Sequence, residues 1–147
     1  MSDVRKETPA QRAERIKREK VPYDLWDDIV RWARERRDFS AIPPEDLKSR
    51  LRWWGLYTQG DGNGVHSREK GSSEGKAVPF FMLRIKIPNG HLRAHQLRTI
   101  GTIANRCARG FGDVTVRENI QLHWISIEDV PGIITQLNHV GLTTLGA

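Results

Sequence analysis

The sequence predicts an α+β fold, in which a helical N-terminal arm precedes a small sheet that carries helices of its own. In the first part of the chain, apolar side chains recur every three or four residues, as in Leu25, Ile29 and Ala33, which is typical of an amphipathic helix. From Phe80 onward the apolar period becomes two, as in a strand, and strand and helix patterns then alternate. This change of period divides the chain into two parts.

The first helix begins with a capping signal. Thr8 can cap a helix, Pro9 fits its first turn, and Gln11 stands where it completes a capping box. The residues up to Lys20 are polar almost all round, so this helix has little apolar surface of its own to bury. We expect it to lie as an arm on something larger.

Two further helices are predicted before residue 52. One spans residues 23–37, and the other opens at residues 43–46, where proline suits the first turn and carboxylates favour the positive end of the helix. The apolar stripe of the first comprises Leu25, Trp26, Ile29, Val30 and Ala33, with Trp32 at its margin. Residues 52–59 are rich in aromatic side chains, and this segment either packs under neighbouring structure or approaches a flat ligand.

Residues 60–78 are rich in Gly, Ser, Asn, Asp, Lys and Glu, which favours a flexible surface connection. His66 has no second ligand at a useful spacing, so it is interpreted as solvated rather than metal-binding. We therefore expect a helical arm with its aromatic segment at 1–59, a flexible loop at 60–78 and a sheet-containing unit at 79–147.

The sheet-containing unit begins with a predicted strand at residues 80–87. Phe81, Leu83, Ile85 and Ile87 alternate on it with Phe80, Met82, Arg84 and Lys86. A helix is predicted over residues 93–109, with Leu97, Ile100, Ala104 and Cys107 on its apolar side. Because Cys107 falls on this stripe, it is interpreted as a core residue rather than a reactive thiol.

The remaining patterns predict short strands at 114–116 and 120–127, a helix that starts at Asp129 or Glu128 and runs through Asn138, and a further extended segment from residue 142. The order β-α-β-β-α-β is the split βαβ, or ferredoxin-like, arrangement. Only Glu118 and Asn119 separate the second and third strands, so these two strands could form a hairpin. Both helices would cover one face of an antiparallel sheet, and the other face must meet water, a partner or a ligand.

Composition narrows the function classes. No stretch approaches the roughly 20 apolar residues that cross a bilayer, and the charged start lacks the apolar core of a secretory signal. Cys107 is the single cysteine, and one thiol can neither form an internal disulfide nor hold an iron–sulfur cluster alone. The simplest expectation is a cytoplasmic protein without a membrane partner.

The formal net charge of +6 suggests nucleic acid as one hypothetical partner, because clustered lysine and arginine neutralise phosphates. Along residues 12–20 and 27–38, however, basic and acidic side chains are interspersed. Mixed signs favour solvated helix faces, with an acidic partner or an anionic cofactor as the other interpretations. A nucleic-acid function rests on charge alone and is not expected.

The sheet face opposite the helices carries the candidate binding residues, beginning with Arg84 on the first strand. Arg117, Asn119, Gln121 and His123 recur at every second residue, so all four share one face if the run stays extended, and Ile125 would follow them. Guanidinium, amide and imidazole groups are good donors to carboxylates and oxyanions. The pattern predicts either a polyanionic ligand on the sheet or an ordinary solvent-exposed strand face.

Three stretches of the sequence resemble the N-terminal region of assimilatory nitrite and sulfite reductases. They are residues 81–90 (FMLRIKIPNG), 113–124 (DVTVRENIQLHW) and 140–144 (VGLTT). Residues 52–59 (RWWGLYTQ) are similar to the segment that these proteins carry before their first ferredoxin-like half-domain. The resemblance covers nearly the whole chain in the expected order.

The resemblance implies sirohaem bridged to a [4Fe–4S] cluster as the cofactors of the complete enzyme. It implies that Arg84 reaches the substrate side of the sirohaem as the catalytic residue, and that Tyr57 lies beside the cofactor. It also implies that Arg117, Asn119, Gln121 and His123 line the macrocycle and receive its carboxylates. The implied reaction is the six-electron reduction of nitrite to ammonia or of sulfite to sulfide, with ferredoxin as the electron donor.

The chain also departs from the family pattern. The four cluster cysteines, a pair of substrate-side lysines and the second half-domain are absent, and Glu118 stands where glutamine is the commoner residue. We therefore expect the chain alone to be incomplete and inactive, and to need the C-terminal half of a reductase as its partner. The alternative function is a stand-alone anion- or tetrapyrrole-binding module without catalysis.

Overall fold

The computed structural model describes residues 7–35, 38–60 and 76–147. Most of the predicted flexible connection, including His66, lies outside these ranges. The helices of the described residues are α1 (Pro9–Glu19), α2 (Leu25–Glu35), α3 (Pro44–Lys48), α4 (Ala94–Cys107) and α5 (Val130–His139). The strands are β1 (Leu56–Gly60), β2 (Ala77–Ile85), β3 (Asp113–Val114) and β4 (Ile120–Ile125).

These four strands form one antiparallel sheet in the order β1-β2-β4-β3. From β2 onward the elements follow the predicted order, and β3 and β4 form the predicted hairpin. The predicted last strand is reduced to one bridge, in which the N–H of Lys86 donates to the carbonyl of Thr143 at 2.9 Å. The α+β, ferredoxin-like fold class is confirmed.

Strand β1 was not predicted from the sequence. It pairs with β2 along the edge that the Thr143 bridge continues, with Tyr57 opposite Met82. Leu56 is buried in the core, whereas Tyr57 is half-buried on the opposite side of the sheet. The aromatic segment therefore packs as part of the sheet, and it presents one aromatic ring to the face without helices.

The side of α2 that faces the core differs from the predicted one. Trp32, placed at the margin of the apolar stripe, is only 1% exposed and lies in the core with Leu25 and Ile29. The cause is tertiary: α2 packs against α5 and the turn that precedes it, residues 127–129, so its buried side is set by a distant part of the chain.

Helix α1 has the predicted capping box, formed by Thr8 and Gln11, and Ile16 is its one buried residue. It is held on α3 mainly by charge. The Arg15 guanidinium lies 2.7 Å from a Glu45 carboxylate oxygen, and Arg50, which is buried, pairs with Glu19 of α1. The first helix is thus an arm that lies on the rest of the molecule, as its polar sequence predicts.

Helix α4 buries a different stripe from the predicted one. Ile100 and Ala104 are buried as expected, but Ile103 takes the place given to Leu97, which is 54% exposed. Cys107 is half-buried against the core, and burial raises the pKa of its thiol, which agrees with a packing role. In the described ranges, no helix is long and apolar enough to cross a membrane.

Candidate functional site: the open face of the sheet

One side of the sheet carries half-buried polar and aromatic side chains, and we call it the open face. It is formed by Tyr57 and Gln59 of β1, Phe80, Met82 and Arg84 of β2, and Gln121 and His123 of β4. The alternate residues of β2, such as Phe81, Leu83 and Ile85, are fully buried on the other side. The alternation predicted for the first strand is therefore confirmed.

Arg84 lies at the centre of this face, between the strands on either side of it. Its guanidinium stands over the Tyr57 ring, 4.9 Å from the ring centroid. On the other side it faces Gln121, its register partner on β4. With the carboxamide oxygen of Gln121 turned toward the guanidinium, Arg84 Nε and Nη2 donate to that oxygen at 3.3 and 3.1 Å. Arg84 is therefore held from both sides before any ligand arrives.

Tyr57 connects this arrangement to other segments. The guanidinium of Arg52 stands over the same ring at 5.7 Å, so the ring has two cations near it. Its hydroxyl donates to the carbonyl oxygen of Ala147 at 3.0 Å. The ring offers a flat apolar surface beside two positive charges, which suits a planar anionic ligand.

Arg117 does not lie on the strand face, and this part of the prediction is wrong. The chain turns at residues 116–118, where Glu118 adopts a left-handed φ of 63° and its N–H donates to the Thr115 carbonyl at 2.9 Å. The hairpin itself requires this turn, so the every-second-residue pattern begins only after it. Arg117 is exposed at the hairpin tip, at the rim of the sheet rather than within it.

Asn119 stabilises the hairpin through two hydrogen bonds. Its side-chain oxygen accepts a hydrogen bond from the N–H of Ile87 at 3.0 Å, and its own N–H donates to the Thr115 hydroxyl at 3.3 Å. These bonds connect the hairpin to the end of the first predicted strand. Asn119 therefore has a structural role whatever else it contacts.

A β-bulge ends the predicted alternation of β4. Leu83 pairs with Leu122 while Phe81 pairs with Ile125, so His123 and Trp124 together stand opposite Met82. Ile125 is consequently buried on the core side rather than beside Gln121 and His123, as the alternation predicted. His123 stays on the open face, with Nε2 3.3 Å from an Asp113 carboxylate oxygen.

The bulge also brings together side chains that were not predicted from the sequence to lie near this face. The N–H of Trp124, whose φ is 63°, donates across β2 to the side-chain oxygen of Gln59 at 3.0 Å. The Arg109 guanidinium lies 3.7 Å from the centroid of the Trp124 ring, and Phe80 meets that ring edge-on. The sequence carries no local signal for this group, because its assembly depends on the β2–β4 register.

The donor set of this face suits an anion rather than a metal ion. Among the residues that the structure describes, no group of three or more His, Cys, Asp or Glu side chains is placed to hold a metal. The face instead combines guanidinium, amide and imidazole groups with aromatic rings. Such groups bind carboxylates and oxyanions, and they favour flat ligands.

Comparison with known proteins identifies this sheet. Residues 74–140 match the family model described as the nitrite/sulfite reductase ferredoxin-like half domain. The chain belongs to this family. The resemblance given by its three sequence stretches is thereby confirmed.

Relatives of this half-domain extend the similarity over nearly the whole chain. The chain is 38% identical, over 95% of its length, to "Sulfite reductase [ferredoxin] 1" of Mycolicibacterium paratuberculosis. It is 34% identical, over 89% of its length, to "Assimilatory ferredoxin-dependent nitrite reductase" of Haloferax mediterranei. The solved structure of the Mycobacterium tuberculosis NirA protein superposes with a TM-score of 0.79 and 35% identity, over 94% of this chain.

The chain spans about a quarter of the length of these relatives and matches their N-terminal part. Arg84, Arg117, Asn119, Gln121 and His123 lie within the matched half-domain. Tyr57 precedes the matched residues, although its strand pairs directly with β2. The domain boundaries 1–59, 60–78 and 79–147 remain a proposal. Strand β1 lies almost entirely in the first of these ranges, but it completes the sheet of the last.

Proposed function

We propose that the chain acts as the N-terminal part of a ferredoxin-dependent nitrite or sulfite reductase, and that its open face binds sirohaem and the substrate anion. One observation carries the proposal: Arg84, held between Tyr57 and Gln121, presents a fixed positive charge on the open face of a nitrite/sulfite reductase half-domain. Preorganised donors of this kind stabilise negative charge without reorganising during the reaction.

The residues of this face fit the cofactor. Sirohaem is a planar macrocycle with many carboxylates, and the face offers the Tyr57 ring beside Arg84, Gln121 and His123 as donors. Arg117 is exposed at the hairpin tip, and its proposed role is to grip a carboxylate from the rim rather than from the strand. Sirohaem with its [4Fe–4S] cluster would pass electrons from the donor to the substrate when bound, while this chain would supply binding and electrostatics.

The cluster ligands are proposed to come from the remainder of a reductase. Cys107, the single cysteine of the chain, packs against the core rather than facing the open side. Ferredoxin as donor, nitrite or sulfite as substrate and a cytoplasmic location belong to the same proposal. The names of the similar proteins support the first two.

The proposed role of Arg84 is electrostatic. A guanidinium stays charged at physiological pH, so it orients and stabilises the oxyanion but is a poor proton donor. Gln121 and Tyr57 fix its direction, and Asn119 and His123 are proposed to meet the cofactor beside it. Protons are expected from bound water or from side chains of the remaining reductase.

A chimeric enzyme tests this division of roles. The chain would replace the matching quarter of the Mycolicibacterium paratuberculosis sulfite reductase, and sirohaem content and sulfite reduction would be measured together. We expect Arg84→Ala to retain most sirohaem while the rate falls roughly 100- to 1,000-fold, as when an oxyanion donor is removed. We expect Arg117→Ala to lower sirohaem content, with activity per bound sirohaem changing less.

Arg18→Ala is the matched control, because Arg18 is an exposed arginine of α1 away from the open face. It should leave both readouts unchanged. If the Arg84 and Arg117 variants load sirohaem and turn over like the parent chimera, the assignment of this face is wrong. A chimera that binds sirohaem but reduces no sulfite would favour a tetrapyrrole-binding module without catalysis.

A further inference from the structure

Helix α4 ends at an arginine in a position where glycine is usual. Ala108 caps the helix, and Arg109 follows it with a left-handed φ of 58°. Helices that close through a left-handed residue usually have glycine there, because a Cβ disfavours this conformation. Gly110 also has a positive φ, and its N–H donates to the Ala104 carbonyl at 2.9 Å. Closing the helix therefore does not require the arginine side chain.

The side chain of Arg109 contacts the open face. Its guanidinium lies over the Trp124 ring, 3.7 Å from the ring centroid. This contact uses the flat face of the guanidinium, so the N–H donors in its plane stay available to a ligand. Among the described residues no carboxylate pairs with Arg109, and Asp113, the nearest acid in the sequence, lies 3.3 Å from His123 Nε2 instead.

Trp124 is itself fixed by its neighbours. Its φ is 63°, and its N–H donates to the side-chain oxygen of Gln59 at 3.0 Å. Phe80 meets the indole edge-on, with 5.8 Å between the ring centroids. Arg109 and Trp124 are thus two left-handed residues other than glycine that meet in one contact. Backbone strain of this kind clusters at binding sites, where the surrounding structure holds it in place.

The Arg109–Trp124 pair and Arg84 lie at different points along the open face. Gln121, the register partner of Arg84, precedes Trp124 by three residues on β4, and His123 lies between them. Since a strand rises about 3.3 Å per residue, Gln121 and Trp124 are roughly 10 Å apart along the strand. A tetrapyrrole with carboxylates on its rim is wide enough to contact both places at once.

We propose that Arg109 and Trp124 form a second anion-binding site on the open face, in which Arg109 binds a carboxylate of the planar ligand and Trp124 holds the guanidinium in position. Arg109 is not among the residues that the resemblance to nitrite and sulfite reductases assigns to the cofactor. The inference rests on the proposed function, because the carboxylate would belong to sirohaem on this face. A free carboxylate is the other source of the same chemistry, and the test separates the two.

The test measures binding of uroporphyrin, a planar tetrapyrrole polycarboxylate, to the full chain through the absorbance of the porphyrin. Arg109→Gly should raise the Kd several-fold to roughly tenfold, because a charged donor is lost. Its urea midpoint should change little, because glycine relieves the left-handed backbone while the contact with Trp124 is lost. Lower stability with unchanged binding would show that the arginine only stabilises the fold, and would overturn the proposal.

A double-mutant cycle tests the positioning role of Trp124. Trp124→Leu should weaken uroporphyrin binding in the parent chain, but much less in the Arg109→Gly background, because the indole acts through the guanidinium. A loss of equal size in both backgrounds would show that Trp124 does not act through Arg109. Citrate, which offers carboxylates without a ring, should bind far more weakly than uroporphyrin. Equal affinity for citrate, lost in Arg109→Gly, would assign the site to free carboxylates instead.

Arg98→Gln is the matched control, because it removes the same charge from an exposed position on α4. It should change the Kd for uroporphyrin less than twofold, and weakening equal to that of Arg109→Gly would reduce the effect to net charge and overturn the proposal. In the chimeric reductase, Arg109→Gly should also lower sirohaem content. Normal loading by this variant beside poor loading by Arg117→Ala would overturn this inference alone, whereas a parent chimera without sirohaem would overturn the proposed function as well.

Discussion

Arg84 shows how neighbouring side chains can position one residue for the role proposed for it. Tyr57 and Gln121 come from strands on either side of β2, and each contacts the same guanidinium. A long side chain held in this way loses less conformational freedom when a ligand binds. The same residue on an isolated strand would be an ordinary solvated arginine.

At the residue scale, Gly55 gives the sharpest stability prediction. Its φ is +72°, and a Cβ there would meet the Arg84 carbonyl at 2.6 Å and the Thr144 carbonyl at 2.9 Å. Gly55→Ala is expected to lower the free energy of unfolding by about 2–4 kcal/mol, from a left-handed φ and overpacking together. Urea unfolding measures the effect.

Gly101→Ala is the control for this change. Gly101 lies on the exposed side of α4 with open space around it, so alanine should stabilise the helix by roughly 0.5–1 kcal/mol. A Gly55→Ala protein as stable as the parent would show that β1, β2 and the segment after α5 do not pack as closely as the structure has them.

At the element scale, helix α1 is held mainly by charges, with Ile16 as its one buried side chain. Arg15 pairs with Glu19 and Glu45, and Arg50 lies against Asp46, which is itself buried. Exposed pairs contribute little individually, and a buried pair is costly to break because one charge is left without a partner. The attachment of α1 should therefore respond to pH and salt more than the sheet does.

Lowering the pH should weaken the attachment of α1 to the rest of the molecule. Hydrogen bonding to Arg15 lowers the pKa of Glu19 and of Glu45 below the usual glutamate value. The unfolded chain therefore takes up protons first as the pH falls, and the stability that these carboxylates contribute is lost on acidification through about pH 4.3 and below. Hydrogen exchange of α1 amides between neutral pH and pH 3 would follow this change.

Arg15→Gln should weaken that pH dependence, because Arg15 is the largest single cause of the lowered pKa of both Glu19 and Glu45. Arg18→Gln removes the same charge from an exposed position on the same helix and should leave the pH dependence unchanged. Identical acid profiles for the parent and the Arg15 variant would show that the ion pairs do not hold the arm.

At the scale of the whole molecule, the sheet has one face covered by helices and one that presents donors and aromatic rings. α4 and α5 contact each other, and α2 lies against α5, so the covered side forms one core with the arm. The open face keeps seven half-buried side chains, and it is the surface on which we propose that the cofactor binds.

The isolated chain should therefore have no reductase activity. Purified protein of this length is expected to show no [4Fe–4S] absorbance and no nitrite or sulfite reduction with a reduced viologen, because Cys107 is its only thiol and faces the core. The chimera described above is the positive control. Turnover by the chain alone would mean that the catalytic centre is organised differently from the proposal.

Features that depend on neighbouring residues can be predicted from the sequence. The capping box at Thr8, the strand alternation around Arg84, the hairpin and the order of elements all follow from local periodicity, turn residues and caps. For the same reason Arg84, Gln121 and His123 were correctly placed on one face of the sheet. A resemblance spread over several stretches then identified the half-domain.

Features that depend on distant partners are set by tertiary contacts and cannot be predicted from local patterns. Strand β1 exists because β2 offers it an edge, the bulge at Trp124 follows from the register between β2 and β4, and Ile125 changes face as a result. Trp32 and Ile103 are buried because of the helices they meet. A one-residue change of register reverses every later side chain, and no local pattern records where such a change occurs.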